Sequence, residues 1–130
     1  MGNNLEKKRI LVVEDEPVIS NVCVRVLTDE GFNVDIAVNG QVAEDMIEKQ
    51  RYDLCLIDIR TPVMNGKELF QYLGERHPNL TSRVVFTTGD MIAGDTQDFL
   101  KGTGRPFLSK PFAPRELRTA VKEALGQIEE

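Results

Sequence analysis

Five polar side chains follow apolar runs in this sequence of 130 residues: Glu14, Asp15, Asp58, Thr88 and Lys110. Carboxylates that lie close together repel one another unless a cation joins them. Oxygen ligands suit Mg²⁺, which keeps several of its water molecules and accepts a phosphate oxygen. If a hydroxyl and an ammonium group lie beside such a cluster, the set could transfer a phosphoryl group to a carboxylate.

The alternation of apolar and amphipathic segments predicts where these side chains lie. We predict strands at 9–13, 32–38, 52–57, 84–86 and 106–109, with five helices between and after them and the weakest helix at about 91–101. The strand segments LVV and LCLI are continuous rather than alternating, which indicates a parallel sheet buried on both faces. In such a sheet the carboxyl ends of all strands lie along one edge, where open α/β sheets place their ligand sites. The five polar side chains should therefore meet there.

Length and charge narrow the class of protein. A chain of this length fits one domain, which we place at residues 8–128 behind a flexible leader at 1–7. The net charge of -5 is unsuited to direct binding of nucleic acid. No apolar run reaches the ~18 residues of a membrane span, and the amino terminus lacks a secretory signal, so we expect a cytoplasmic protein without membrane insertion. Cys23 and Cys55 are expected to be free, buried thiols.

Four short segments closely resemble the receiver domain of bacterial response regulators: VVEDEP, LIDIRTPVMNG, FTTGD and FLSKPF. They occur in this order, each at a predicted strand end, and the resemblance extends over about residues 8–127. It implies a doubly wound, flavodoxin-like (βα)5 fold, with a five-stranded parallel sheet in the order 2-1-3-4-5 and helices on both faces. It also implies a phosphorelay protein of a two-component system that catalyses its own aspartyl phosphorylation and dephosphorylation. Since no output segment follows residue 128 in this sequence, we expect no separate output enzyme domain.

The resemblance implies roles for the acidic residues. In that family the aspartate matching Asp58 accepts the phosphoryl group from the phosphohistidine of a sensor histidine kinase or a histidine phosphotransfer protein. The acidic pair matching Glu14 and Asp15 binds Mg²⁺, together with the acceptor and the backbone carbonyl matching Arg60. The cofactor implied is therefore Mg²⁺.

The resemblance also implies a switch. Thr88 and Lys110 match the residues that hold the phosphoryl oxygens, and Phe107 matches the switch aromatic. The peptide bond between Lys110 and Pro111 is expected to be cis. On phosphorylation Thr88 should move inward and Phe107 should follow, which would shift the face formed by the fourth helix, the fifth strand and the fifth helix (α4-β5-α5 in the family's naming) toward a state that binds a partner. Since position 107 is Phe and not Tyr, no phenol hydroxyl takes part.

Two variable positions of the family's site carry charged residues of opposite sign. Arg60 lies two residues beyond Asp58, and Asp90 lies two residues beyond Thr88. We expect Arg60 and Asp90 to pair across the mouth of the pocket. The pair would hinder the water that hydrolyses the acyl phosphate, and it would lengthen the life of the phosphorylated form.

Three other functions fit the sequence less well. A phosphohydrolase of the haloacid dehalogenase type needs a second Asp at position 60, which is Arg. A nucleotide or flavin binder on the same fold would use a glycine-rich phosphate-binding motif, and neither common form occurs. A receiver-like module that is never phosphorylated would not need all five polar residues. Taken singly, each has a simpler explanation, such as acids at the start of a helix, so their joint placement is what favours a shared site.

Monomer and weak dimer both stay open, as do a stand-alone protein and a piece of a larger one, and the downstream target is unknown.

Overall fold

The computed structural model describes residues 7–89 and 93–126. It contains one sheet of five parallel strands: β1 (Arg9–Val13), β2 (Asn33–Ala37), β3 (Leu54–Asp58), β4 (Val84–Thr88) and β5 (Phe107–Ser109). The strand order is β2-β1-β3-β4-β5, which confirms the predicted flavodoxin-like topology. The helices are α1 (Pro17–Asp29), α2 (Gly40–Lys49), α3 (Gly66–Arg76), α4 (Pro78–Thr81), α5 (Gly94–Thr103) and α6 (Pro114–Ala124).

Two hydrophobic layers hold the helices on opposite faces of the sheet. In β1, Leu11 belongs to the layer packed against α2, α3, α4 and α5, and Ile10 belongs to the layer packed against α1 and α6. Strands β3 and β4 are buried over all five of their residues, as the continuous apolar runs predicted. Cys23 and Cys55 are free and buried, one in each layer, as expected.

A capping box starts α3 directly after the loop that follows β3. The Asn65 side chain accepts a hydrogen bond from the backbone N–H of Glu68 at 2.9 Å, and the Glu68 carboxylate accepts one from the backbone N–H of Asn65 at 2.9 Å. These two bonds satisfy donors that a helix start otherwise leaves unpaired. Asn65 therefore fixes where α3 begins.

Several predicted strand bounds shift by one or two residues: β2 runs over 33–37 rather than 32–38, β4 over 84–88 rather than 84–86, and β5 over 107–109 rather than 106–109. The structure departs from the prediction in three further places. It adds the four-residue helix α4, in which only Leu80 is buried, so no apolar periodicity could reveal it. Strand β3 runs over 54–58 rather than 52–57: Tyr52 and Asp53 lie before the strand, and Asp58 belongs to it. The weak fourth predicted helix is α5 at 94–103 and ends at Gly104, whose φ of 67° is left-handed.

Some expectations lie outside the described residues. These are residues 1–6 of the predicted leader, Asp90, and the last two residues of the predicted domain at 127–128. Within 7–89 and 93–126, no helix is long and apolar enough to cross a membrane.

Candidate functional site

Three strand ends bring charged side chains together at the carboxyl edge of the sheet. Glu14 follows β1, Asp58 is the last residue of β3, and Lys110 follows β5. The Lys110 ammonium lies 2.9 Å from Glu14 Oε1 and 3.0 Å from Asp58 Oδ2. All three side chains are at least mostly buried, with 12% of the Lys110 side chain and 3% of the Glu14 side chain exposed. Residues up to 96 positions apart in sequence thus form one ionic cluster, as the parallel sheet predicted.

A third carboxylate, which the sequence analysis did not select, completes the surroundings of the lysine. Glu16 Oε1 lies 3.1 Å from Lys110 Nζ, so each of the three ammonium protons has a carboxylate partner. Burial by itself would lower the pKa of Lys110, but its bonds to Glu14, Asp58 and Glu16 raise that pKa above its usual value. The lysine therefore stays charged throughout the physiological pH range.

Glu14 is the carboxylate whose ionisation the pocket opposes most clearly. Burial raises the pKa of Glu14 to about 7, the hydrogen bond from Lys110 works in the opposite direction, and the negative charge of Asp58 adds to the increase. The second oxygen of Glu14 accepts a hydrogen bond from the backbone N–H of Glu16 at 3.1 Å. This carboxylate is thus positioned firmly, and it needs nearby positive charge to stay ionised.

The loop after β3 holds Asp58 in place. Asp58 Oδ1 accepts a hydrogen bond from the backbone N–H of Arg60 at 3.1 Å, and the side chain is nearly buried. The chain then turns back so closely that a Cβ on Gly66 would lie 2.7 Å from Ile59 Cα. The carbonyl of Met64 anchors the loop to α2, because it accepts the backbone N–H of Gly40 at 2.9 Å. The position of Asp58 therefore depends on a loop that needs glycine at residue 66.

The oxygen atoms of this cluster could hold a divalent cation. One carboxylate oxygen from each of Glu14, Glu16 and Asp58 lies within 4.8 Å of the others. A set made only of oxygen donors with open positions fits Mg²⁺. Asp15, which the resemblance assigns to the metal, is exposed and lies outside this triplet. It lines the same cleft of about 570 Å³, together with Glu16, Asp58, Arg60, Gly89 and Lys110.

The two residues expected to switch lie on neighbouring strands. Thr88 ends β4 and is 1% exposed, and its carbonyl accepts the backbone N–H of Lys110 at 2.8 Å. Phe107 starts β5 and is 42% exposed, so its ring stands at the surface in this structure. The peptide bond between Lys110 and Pro111 is cis, as expected. Arg60 lies at the same cleft, whereas Asp90 is outside the described residues, so their pairing stays a prediction.

The sequence carried one signal for Glu16 as a candidate, although not for its contact with Lys110. It is the third acid of the run Glu14-Asp15-Glu16, and it stands where the chain enters α1. As the residue before the helix, it makes no side-chain capping bond. That leaves its carboxylate available to Lys110.

Comparison with known proteins supports the family suggested by these features. A family model described as a response regulator receiver domain matches residues 10–122. A curated relative, a probable transcriptional regulator ycf29 from Porphyra purpurea, is 36% identical over 119 residues, which cover 89% of this chain and 56% of the relative. The chain thus spans about half the length of that relative.

Solved structures agree with the sequence comparison. A CheY-like response regulator receiver domain protein from Methanospirillum hungatei JF-1 superposes with a TM-score of 0.84 at 30% identity, covering 94% of this chain and 96% of that one. The receiver domain of a sensor histidine kinase from Pseudomonas aeruginosa PAO1, with a magnesium ion coordinated in its active-site cleft, gives a TM-score of 0.82 at 29% identity, covering 93% and 99%. Since the family model matches most of its length, this chain belongs to the response regulator receiver domains of two-component systems.

Proposed function

We propose that the chain is a phosphoacceptor switch in which Asp58 receives a phosphoryl group, in the presence of Mg²⁺, from the phosphohistidine of a sensor histidine kinase or a phosphotransfer protein. One observation carries this proposal: Asp58 lies nearly buried at the carboxyl end of β3, 3.0 Å from the Lys110 ammonium and among the carboxylates of Glu14 and Glu16. A structural aspartate would not need this arrangement. The proposed domain spans residues 8–128, with 1–7 as a leader.

In the reaction, a carboxylate oxygen of Asp58 attacks phosphorus, and the bond between phosphorus and the donor imidazole nitrogen breaks. The leaving ring nitrogen keeps the electron pair of that bond, and the donor ring takes up a proton from solvent, so the products are an acyl phosphate on Asp58 and a neutral imidazole on the donor. Lys110 remains charged and is close enough to move from Asp58 Oδ2 to a phosphoryl oxygen. The Thr88 hydroxyl is proposed to hold a second phosphoryl oxygen. Such transfer depends mainly on positioning and on neutralisation of charge.

A bound Mg²⁺ would supply positive charge to the phosphoryl oxygens. The groups proposed to hold it are the carboxylates of Asp58, Glu14 and Asp15 and the backbone carbonyl of Arg60. The position of Glu16 beside Lys110 and Asp58 adds a further acidic group to this set. The donor set is supported by its oxygen chemistry. Asp15, Asp58 and Arg60 line one cleft, and Glu14 lies beside Asp58.

Phosphorylation is proposed to change the surface formed by α5, β5 and α6, which correspond to the fourth helix, fifth strand and fifth helix of the sequence prediction. Phe107 stands half-exposed on this surface, one strand away from Thr88. Inward movement of Thr88 would leave room for the ring to turn inward. The population would then shift toward a state that binds an as yet unknown target. The chain is proposed to act in the cytoplasm as a monomer or weak dimer.

The test is incubation with acetyl phosphate and Mg²⁺, followed by intact mass measurement. The wild-type chain should gain the mass of a single phosphoryl group, and Asp58→Asn should gain none. Asp98→Asn is a matched control, because Asp98 is an exposed acid on α5 away from the cleft, and it should react like the wild type. Labelling of Asp58→Asn at the wild-type level would refute Asp58 as the acceptor.

A further inference from the structure

Two adjoining clefts run along the amino-terminal edge of the sheet, opposite the acidic site. Their volumes are about 710 and 490 Å³, and they share Gln50, Arg51 and Asp53. We call them together the basic groove, after the cations that line it: Lys7, Lys8, Arg9, Lys49, Arg51, Arg76 and Arg83. A cleft of several hundred cubic ångströms is of the size that binds ligands.

The charge of the basic groove is opposite to that of the whole chain. Seven of the 16 lysines and arginines line it. Among the residues that the structure describes, only two acids line it, Glu48 and Asp53. The net charge of -5 therefore conceals a concentrated positive region. An acidic pocket at one edge of the sheet and a cationic groove at the other give the molecule two electrostatic poles.

Both carboxylates of the groove already have partners. The Glu48 carboxylate accepts a hydrogen bond from the Tyr72 hydroxyl, and it lies 3.1 Å from His77 Nε2 and 3.8 Å from Arg76. These contacts lower the pKa of Glu48, chiefly through the Tyr72 hydroxyl. Asp53 accepts the backbone N–H of Arg9 at 2.8 Å. Asp53 also lies 3.8 Å from Arg51, but this contact is long and 89% of the Arg51 side chain is exposed, so Arg51 can still reach a ligand. Within the described residues, neither acid forms an ion pair with Lys49 or Arg83.

For some of these cations, the described structure shows no stabilising role that would explain their position. Lys49 and Arg76 lie in the last turns of α2 and α3, where a cation complements the helix dipole. Arg51 and Arg83 lie outside helices, ahead of β3 and β4, so that explanation does not cover them. Across residues 7–89 and 93–126, the side chains of Lys49 and Arg83 form no hydrogen bond or ion pair. Their charges face the cleft without a counter-charge.

The lining favours an acidic peptide over other anions. Arginine side chains can bind carboxylates through paired hydrogen bonds. The cations are spread along two adjoining clefts, so a chain of carboxylates could contact several of them at once, whereas inorganic phosphate could not. A single-stranded nucleic acid would need exposed aromatic rings for its bases. Tyr52 lines the groove but is only 5% exposed. We propose that the basic groove binds an extended acidic segment of a partner protein, with carboxylates at Arg51 and Arg83.

The probe for this proposal is a fluorescein-labelled peptide of alternating Asp and Leu, followed by fluorescence anisotropy with the whole chain in EDTA. Saturable binding is expected, and it should weaken with added salt. Because an exposed ion pair contributes up to about 1 kcal/mol, the double variant Arg51→Gln/Arg83→Gln should bind about tenfold more weakly. The matched control is Arg25→Gln/Arg115→Gln, two exposed arginines outside the groove, which should bind like the wild type.

Three results would overturn the proposal: no saturable binding, equal loss in both double variants, or equally tight binding of an oligothymidylate or of an Asn-Leu peptide. Phosphorylation of Asp58 from acetyl phosphate should be the same in all these variants, since the groove lies at the opposite edge of the sheet. Failure of the groove proposal would therefore leave the proposed phosphoacceptor function standing.

Discussion

Removing the charge of Glu14 should make the stability of the protein less sensitive to pH. Glu14 is nearly buried beside Asp58, and its pKa is raised from an ordinary value of 4.5 to about 7. A carboxyl group with a raised pKa stabilises the folded state below its ordinary pKa, and that contribution is lost as the pH rises through the folded value. The window for this loss is therefore between pH 4.5 and about 7.

The size of the effect follows from the pKa. The difference between 4.5 and about 7 corresponds to about 3 kcal/mol of unfolding free energy. Water can enter the open cleft and screen the charge, so we discount this to about 1–2 kcal/mol. Glu14→Gln keeps the shape of the side chain but cannot ionise. Relative to the wild type, it should therefore gain about 1–2 kcal/mol of stability between pH 5 and pH 8.

Urea unfolding at both pH values, in EDTA, measures this difference. Glu75→Gln is the control, because Glu75 is an exposed acid on α3 away from the cleft, and its difference from the wild type should not vary with pH. Addition of Mg²⁺ at pH 8 should reduce the gain shown by Glu14→Gln, since a bound cation favours the ionised carboxylate. The stability advantage of Glu14→Gln over the wild type should grow from pH 5 to pH 8. If it stays constant or shrinks, burial does not oppose ionisation of Glu14.

Three further predictions concern the loops around the acidic site. Val63 has a left-handed φ of 69° and is 79% exposed, so Val63→Asn should raise the free energy of unfolding by about 1 kcal/mol in urea titrations, whereas Val38→Asn should not. Gly66→Ala places a Cβ 2.7 Å from Ile59 Cα, so it should lower the melting temperature and slow phosphorylation. The control is Gly74→Ala, whose Cβ would meet no atom within 4 Å and which should stabilise the folded protein by about 0.5–1 kcal/mol. Arg60→Ala should speed loss of the phosphoryl group, followed by intact mass after the donor is removed; an unchanged or slower rate contradicts the proposed shielding.

The sequence predicted the parts of the fold that depend on burial. Continuous apolar runs indicated strands such as β1 and β3, and alternation indicated β2. Because parallel strands share one edge, the meeting of Glu14, Asp58 and Lys110 followed from the order of the strands. Helix α4 could not be predicted in this way, since a single buried residue, Leu80, leaves no periodic signal.

The sequence predicted which loops meet at the site, but it did not predict which side chains contact one another there. Asp15 and Glu16 are adjacent acids in one loop, and only coordinates show that Glu16 contacts Lys110. The basic groove was hidden for a different reason. Net charge is a sum over the chain, and the positions of Arg51 and Arg83 become related only when β3 and β4 pair.

The lysine at the centre of the acidic cluster has a consequence for ion binding. Lys110 is a counterion joined covalently to the chain, so dilution cannot remove it and the acids remain compensated in a medium without divalent salts. An arriving metal must displace this resident charge from the same oxygens. The free energy of metal binding is therefore reduced by the free energy of the Lys110 contacts that the metal replaces. A substitution that weakens the hold of Lys110 on these oxygens would tighten metal binding, even if it changed no ligand of the metal.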